Sequence, residues 1–271
     1  MAEPSLQGES GSCAGPRAPL GVLIVHGFTA GPAGGVRSLE APLQALGLPT
    51  RTPVLRGHGA ASPQALRGVH WHDWVADAEA ALQALLQQAD RAVVVGHSMG
   101  ALVALTLAAD HPEAVDSLVL AAPALQLASP LAPGRPLHGL VPLIRRLVRS
   151  WPIAHAYADG ALAAGDTSYP WAPMEAILAL FAFGQATARR LPEIAVPTLV
   201  LQSHRDSVVV PGSARRMLEA ITTPPEQKRL RWFERTDHEL FRDCEREAAV
   251  EAVVAFVADR RQTLARVTRS G

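Results

Sequence analysis

The sequence predicts an α/β protein built on a doubly wound, mostly parallel sheet, with a small helical cap inserted over it. Three observations carry this. Short apolar runs such as Val22-Leu23-Ile24-Val25, Ala92-Val93-Val94-Val95 and Leu118-Val119-Leu120 read as strands buried on both faces. Stretches with apolar residues at helical spacing alternate with these runs, as parallel crossovers require. Between Pro123 and Leu191 the alternation breaks into prolines, glycines and aromatics. At 271 residues the chain is long enough for one large domain with a substantial core.

In chain order, residues 1 to 19 are rich in Gly, Ser and Pro without periodicity and are expected to form a mobile tail. The domain then spans 20–271. Its first strand, Val22 to Val25, ends in His26-Gly27-Phe28. A helix is expected over Ser38 to Leu46, stopped by Gly47 in a left-handed cap. Residues 50 to 55 read as a strand closed by Arg56-Gly57-His58-Gly59. A helix follows from Asp73, as N-cap, to Gln88. The strand at 92–95, a helix over 101–109 and the strand at 118–120 come next. A cap is expected over about 124–191, with helical patterns near Val141 to Arg149 and Met174 to Arg190. Thr198 to Leu201 and Leu230 to Phe233 supply two more strands around a helix near Ala214 to Ala220, and a last helix runs from about Arg246 to Arg260.

Composition narrows the function classes. Lys plus Arg and Asp plus Glu balance at 25 each, which gives no electrostatic footprint for nucleic acid and no basic helix for a membrane surface. No stretch approaches the ~20 apolar residues of a membrane span, and Met1-Ala2-Glu3-Pro4-Ser5 lacks the pattern of a secretory signal. The expected compartment is the cytoplasm. Cys13 and Cys244 have no metal-ligand spacing and read as structural or incidental, so no metal is expected. The chain has no Asn and one lysine, Lys228, a bias that GC-rich coding or a thermophilic habit would produce equally.

The chemistry is concentrated at Gly96-His97-Ser98-Met99-Gly100, between a buried strand and a helix. A serine there sits on a tight strand-to-helix turn with its hydroxyl exposed at the strand end. Serine is a poor nucleophile unless a base takes its proton and a carboxylate orients that base. Asp206 follows the strand ending at Gln202-Ser203, and His238 follows the strand ending at Phe233. All three then lie at carboxyl ends of parallel strands, where ligands collect. His97 is expected to point away, His26 to be a buried structural residue, and His58, His70 and His72 lie in loops able to line the site. Asp237 competes with Asp206 but is too close to His238 in sequence to meet its far nitrogen. Backbone N–H groups of Phe28 and Met99 are the expected oxyanion donors. Trp151, Tyr157, Trp171, Ile177, Leu178 and Phe181 are the candidate pocket wall.

With these residues the sequence resembles the α/β-hydrolase superfamily, and within it bacterial carboxylesterases related to monoacylglycerol lipases. The resemblance rests on Gly21 to Thr29, Arg56-Gly57-His58-Gly59, the turn at Ser98, Pro197 to Leu201 with Asp206 and Val209, and His238, and spans nearly all of residues 20 to 260. It implies an α/β-hydrolase fold and hydrolysis of short- to medium-chain carboxylic esters, monoacylglycerols among them. It also implies a helical cap over an acyl pocket and no cofactor. Ser98, Asp206 and His238 would be the triad, with Phe28 and Met99 as oxyanion donors. The partner is then a small-molecule ester. Thioesterases, lactonases, carbon-carbon bond hydrolases and acyltransferases use the same scaffold, and a non-catalytic binding protein is the alternative of another class.

Overall fold

The computed structural model describes residues 17–31, 34–154 and 156–270, without the side chains of 267–270. The expected tail therefore lies outside the described residues up to residue 16. The first strand, β1 (Ala18–Val25), already includes the last two residues assigned to that tail. In chain order follow α1 (Glu40–Gln44), β2 (Thr50–Arg51), α2 (Trp71–Leu86), β3 (Ala89–His97), α3 (Met99–Asp110) and β4 (Val115–Ala121). Next come α4 (Val141–Leu147), β5 (Ser150–Pro152), β6 (Trp171–Pro173) and α5 (Met174–Arg190). The chain ends with β7 (Thr198–Ser203), α6 (Gly212–Ala220), β8 (Lys228–Phe233) and α7 (Arg246–Ser270).

Six strands form one parallel sheet in the order β2-β1-β3-β4-β7-β8. Val22 lies opposite Val93, Val95 opposite Val119 and Leu120 opposite Val200. Successive residues of a strand face opposite ways, so a sheet covered on both sides needs every position apolar. One face carries Leu23, Val25, Val94, Leu118 and Leu120 against α2, α3, α5 and α6. The other carries Val22, Ile24, Val93, Val95 and Val119 against α1 and α7. α3, at the centre of the first face, is buried from Met99 to Ala108.

Four local expectations are corrected. The first helix is a 3-10 turn, Gly35–Leu39, leading into the short α1, although Gly47 does adopt the left-handed conformation at φ 71°. β2 stops at Arg51, because Pro53 has no N–H for a ladder and the strand is at the sheet edge. α2 begins at Trp71 with His70 at the N-cap; Asp73 sits one turn in, its carboxylate accepting the His70 N–H at 2.8 Å. Balanced net charge also conceals a local excess. No acid occurs between Asp116 and Asp159, where Arg135, Arg145, Arg146 and Arg149 lie, and α4 is an exposed basic helix carrying two of them.

The segment between β4 and β7 divides. α5 packs on the sheet beside α2 and α3, with Phe183 buried and stacked on Trp71 at 4.9 Å. Its first turns, together with α4 and the antiparallel pair β5–β6, stand over the carboxyl ends of the strands. No helix is long and apolar enough to cross a membrane among the described residues.

Candidate active site

Ser98 occupies the turn between β3 and α3 with φ 55° and ψ −114°, a conformation that costs a side-chain-bearing residue strain. The flanking glycines are required by close approach. A Cβ at Gly96 would come within 2.2 Å of the Gly100 carbonyl oxygen, and one at Gly100 within 2.2 Å of the Val25 carbonyl oxygen. The loop after β1 packs just as closely, since a Cβ at Gly27 would lie 3.3 Å from Ser98 Cβ. Phe28, whose N–H has no hydrogen-bond partner among the described residues, lines the same cavity as Ser98. Met99 opens α3, so its N–H is one of the four a helix start leaves unpaired. Thr29, next in the loop, is held at φ 65°; its hydroxyl donates to the Phe28 carbonyl at 2.6 Å.

His238 and Asp206 meet as the strand order predicts. His238 Nδ1 lies 3.0 and 3.1 Å from the two Asp206 carboxylate oxygens, and both residues are buried. Asp206 also accepts the N–H groups of Val208 and Val209 at 3.0 and 2.8 Å and the Gln202 side-chain amide at 2.8 Å. Burial works against its charge, but His238 and these donors outweigh it and hold the carboxyl below the usual range. Burial likewise works against a charged His238. The Asp206 carboxylate, aided by Glu239 and Asp237, outweighs it and raises the imidazole above the ordinary histidine value. With Nδ1–H donated to Asp206, Nε2 is left to accept a proton.

Ser98 and His238 face one cavity of about 280 Å³, lined mainly by apolar side chains. Of the six candidate wall residues, Trp151, Ile177, Leu178 and Phe181 line it. Tyr157 and Trp171 do not. Tyr157 donates its hydroxyl to Asp166 at 2.8 Å, and Trp171 lies opposite Pro152 in the β5–β6 pair. Leu127, Val141, Ile144 and Ile153 line the cavity without having been singled out. Their only signal in the sequence is apolarity, which core residues share.

The other histidines are placed by burial. His26 donates from Nδ1 to the Gly27 carbonyl at 2.9 Å and accepts the Leu55 N–H at Nε2, and desolvation lowers its pKa to about 4. His58 packs against His26, Phe28 and Trp74, outside the cavity lining, as are His70 and His72. His97 does not point away: its Nε2 donates to the His238 carbonyl at 3.0 Å. Asp237 accepts the Ser207 N–H and hydroxyl at 2.7 and 3.0 Å, so its hydrogen bonds serve the loop of Asp206 and it acts on the imidazole only through its charge. Cys244 is an exposed free thiol, and Cys13 lies outside the described residues. No group of three or more His, Cys, Asp or Glu is arranged to hold a metal ion among the described residues.

Comparison with known proteins agrees with this architecture. The model of the family described as serine aminopeptidase, S33, matches residues 17–245. A thermostable monoacylglycerol lipase of Bacillus sp. (strain H-257) is 31% identical over 214 residues, covering 79% of this chain and 81% of that protein. A pimeloyl-[acyl-carrier protein] methyl ester esterase of Aromatoleum aromaticum is 34% identical over 170 residues, 62% of this chain and 58% of its own. Among solved structures, one from the work on LipS and LipT, two metagenome-derived lipolytic enzymes, superposes with a TM-score of 0.79 at 28% identity, over 90% of this chain and 95% of the other. A soluble variant of the Saccharomyces cerevisiae monoglyceride lipase, at 16% identity and TM-score 0.76 over 93% and 89%, shares the fold.

Proposed function

The chain belongs to the serine aminopeptidase, S33, family of α/β-hydrolases and is a serine hydrolase of the lipase and esterase type, and we propose that it cleaves short- to medium-chain carboxylic esters, monoacylglycerols included, through an acyl-enzyme on Ser98. The observation that carries the reading is the pairing of His238 Nδ1 with a buried Asp206 at 3.0 Å beside an apolar cavity that Ser98 also lines.

In this mechanism the Ser98 hydroxyl attacks the ester carbonyl carbon while His238 Nε2 takes its proton. The negative charge moves to the carbonyl oxygen and is met by the N–H groups of Phe28 and Met99, which need not reorganise. Collapse breaks the bond to the alcohol oxygen; His238 returns its proton to that oxygen and the alcohol leaves. Water then attacks the acyl-serine with His238 again as base, releasing the acid and restoring Ser98. Asp206 keeps the imidazole in the tautomer that has Nε2 free and stabilises the imidazolium formed in each half. Within residues 124 to 191, α4, the β5–β6 pair and the first turns of α5 serve as cap, with Trp151, Ile177, Leu178 and Phe181 in contact with the acyl chain. The name and 31% identity of the Bacillus relative support monoacylglycerols among the substrates.

Intact-mass analysis after treatment with a fluorophosphonate tests the nucleophile. One adduct is expected on the native enzyme and none on Ser98→Ala; an adduct that persists in the variant overturns the assignment.

A further inference from the structure

The loop that carries His238 is fastened to the covering segment by one buried carboxylate. Asp243, fully buried, accepts four backbone N–H groups: Ala158 and Asp237 at 2.7 Å, Cys244 at 2.8 Å and Asp159 at 3.3 Å. Two of these donors belong to the segment between β5 and β6, and one belongs to the residue immediately before His238. A carboxylate sharing several backbone donors is held far more firmly than a neutral acceptor would be, and these donors keep the Asp243 acid below its usual range against the cost of burial.

The neighbouring contacts make the same connection. The Glu239 N–H donates to the Ala156 carbonyl at 3.4 Å, so both residues flanking His238 are tied to the covering segment or to the residue that clasps it. Arg242 reaches Asp166 at 3.3 Å and lies over the Tyr157 ring. At its other end the same segment holds the oxyanion loop: the Tyr169 N–H donates to the Thr29 carbonyl at 3.0 Å. Residues 156 to 169 thus run as a strap from the base loop to the oxyanion loop. Asp237, fixed through its N–H, in turn holds Ser207 beside Asp206.

We propose that Asp243 is a positioning residue for the base, locking the strap at Ala158–Asp159 to the backbone of Asp237 so that His238 meets Asp206 and Ser98 in register only while the strap is seated. This rests on the triad reading above. Misplacing a reacting group by about 1 Å costs on the order of 10²-fold in rate, whereas Asp243 itself does not line the cavity. The loss should therefore fall on turnover and be the same for every acyl length. The groups facing His238 are Asp206, His97, Glu239 and Asp237; Asp206 pairs with the imidazole itself, while His97 donates to the His238 carbonyl.

The test compares Asp243→Asn, which presents an amide to donors that need an acceptor, with Asp116→Asn. Asp116 is an equally buried carboxylate held by Arg260 at the opposite end of the sheet. With p-nitrophenyl acetate and p-nitrophenyl octanoate, D243N should lose about 10- to 100-fold in kcat for both, with KM changed less than about threefold. Fluorophosphonate labelling of Ser98 should slow by the same factor, and the pH limb of kcat/KM should move down toward the ordinary histidine value. D116N should lower Tm without moving that limb. If D243N does not fold, Ala158→Pro, which deletes one strap donor and leaves the carboxylate, should give the same split between kcat and KM. A folded D243N or A158P with native kcat and pH limb, or with a loss confined to one acyl length, overturns the proposal. A native enzyme that fluorophosphonate fails to label removes the triad reading, and this proposal with it.

Discussion

The two halves of the cavity are built from different physics. Its floor is the strand-end loops, where Ser98, Asp206 and His238 are buried and directional hydrogen bonds hold the pair His238–Asp206. Its roof is an apolar surface assembled from α4, β5 and the first turns of α5, with Leu143 59% and Leu147 78% exposed on the outer side. A buried polar network tolerates one arrangement, because an unpaired group costs its full desolvation penalty. An apolar roof tolerates many, because burial is proportional to area and has no direction. On the proposed reading the floor fixes the reaction and the roof the range of esters admitted, and each variant below should affect one without the other.

The largest effects belong to the floor. His238→Ala and Asp206→Ala should each lower kcat by several orders of magnitude, on the order of 10⁴-fold or more. The double variant should be little worse than the poorer single one, since the three residues act as a unit. Steady-state turnover of folded variants measures this, and additive losses would contradict it. Next is the donor in the loop after β1. Phe28→Pro, which deletes the N–H, should cost about 10²- to 10³-fold in turnover, whereas Phe28→Ala keeps the donor and should change kcat only mildly. Equal effects in the two would move the donor elsewhere.

A smaller and more specific effect is the position of the pH limb. An ordinary histidine, judged from sequence alone, would give a rise around pH 6 to 7. Because Asp206 raises the His238 pKa, the base becomes neutral, and so active, only at higher pH. The kcat/KM of the native enzyme should rise with pH through a limb above 6.5 and level off beyond it. Asp206→Asn should move the surviving limb down.

The same contrast decides what the sequence made legible. The central parallel strands were readable because burial on two faces demands continuous apolar runs, as in Ala92 to Val95, and the candidate triad because Ser98, Asp206 and His238 follow three predicted strands in the order Ser, Asp, His. β5 and β6 were not readable: three residues apiece carry no alternation, and their pairing is set by contacts about 20 residues apart. Asp243, at Ala158 and Asp159, and His97 and Tyr169 act on the backbone of residues far away in the chain, which leaves no spacing to find. Tyr157 and Trp171 were expected at the pocket wall because an aromatic side chain predicts burial. It does not say against which surface, and the two sit elsewhere.

The smallest effect belongs to the outside of the roof. Leu147→Gln should change stability by no more than about 0.5 kcal/mol, since the side chain is already in water. Chemical denaturation of the variant measures it.

The division of labour between floor and roof is tested most directly by kcat/KM over p-nitrophenyl esters of increasing acyl length, for the native enzyme, Asp206→Asn, Leu178→Ala and Phe181→Ala. Each methylene buried against the roof is worth about 0.8 kcal/mol, so native kcat/KM should climb with length until the cavity is full and then fall. Asp206→Asn should lower the whole curve in parallel. Leu178→Ala and Phe181→Ala should shift its maximum to longer chains. A native-shaped curve in both roof variants, with the enzymes folded and Ser98 still labelled, would contradict the account and place the acyl chain elsewhere.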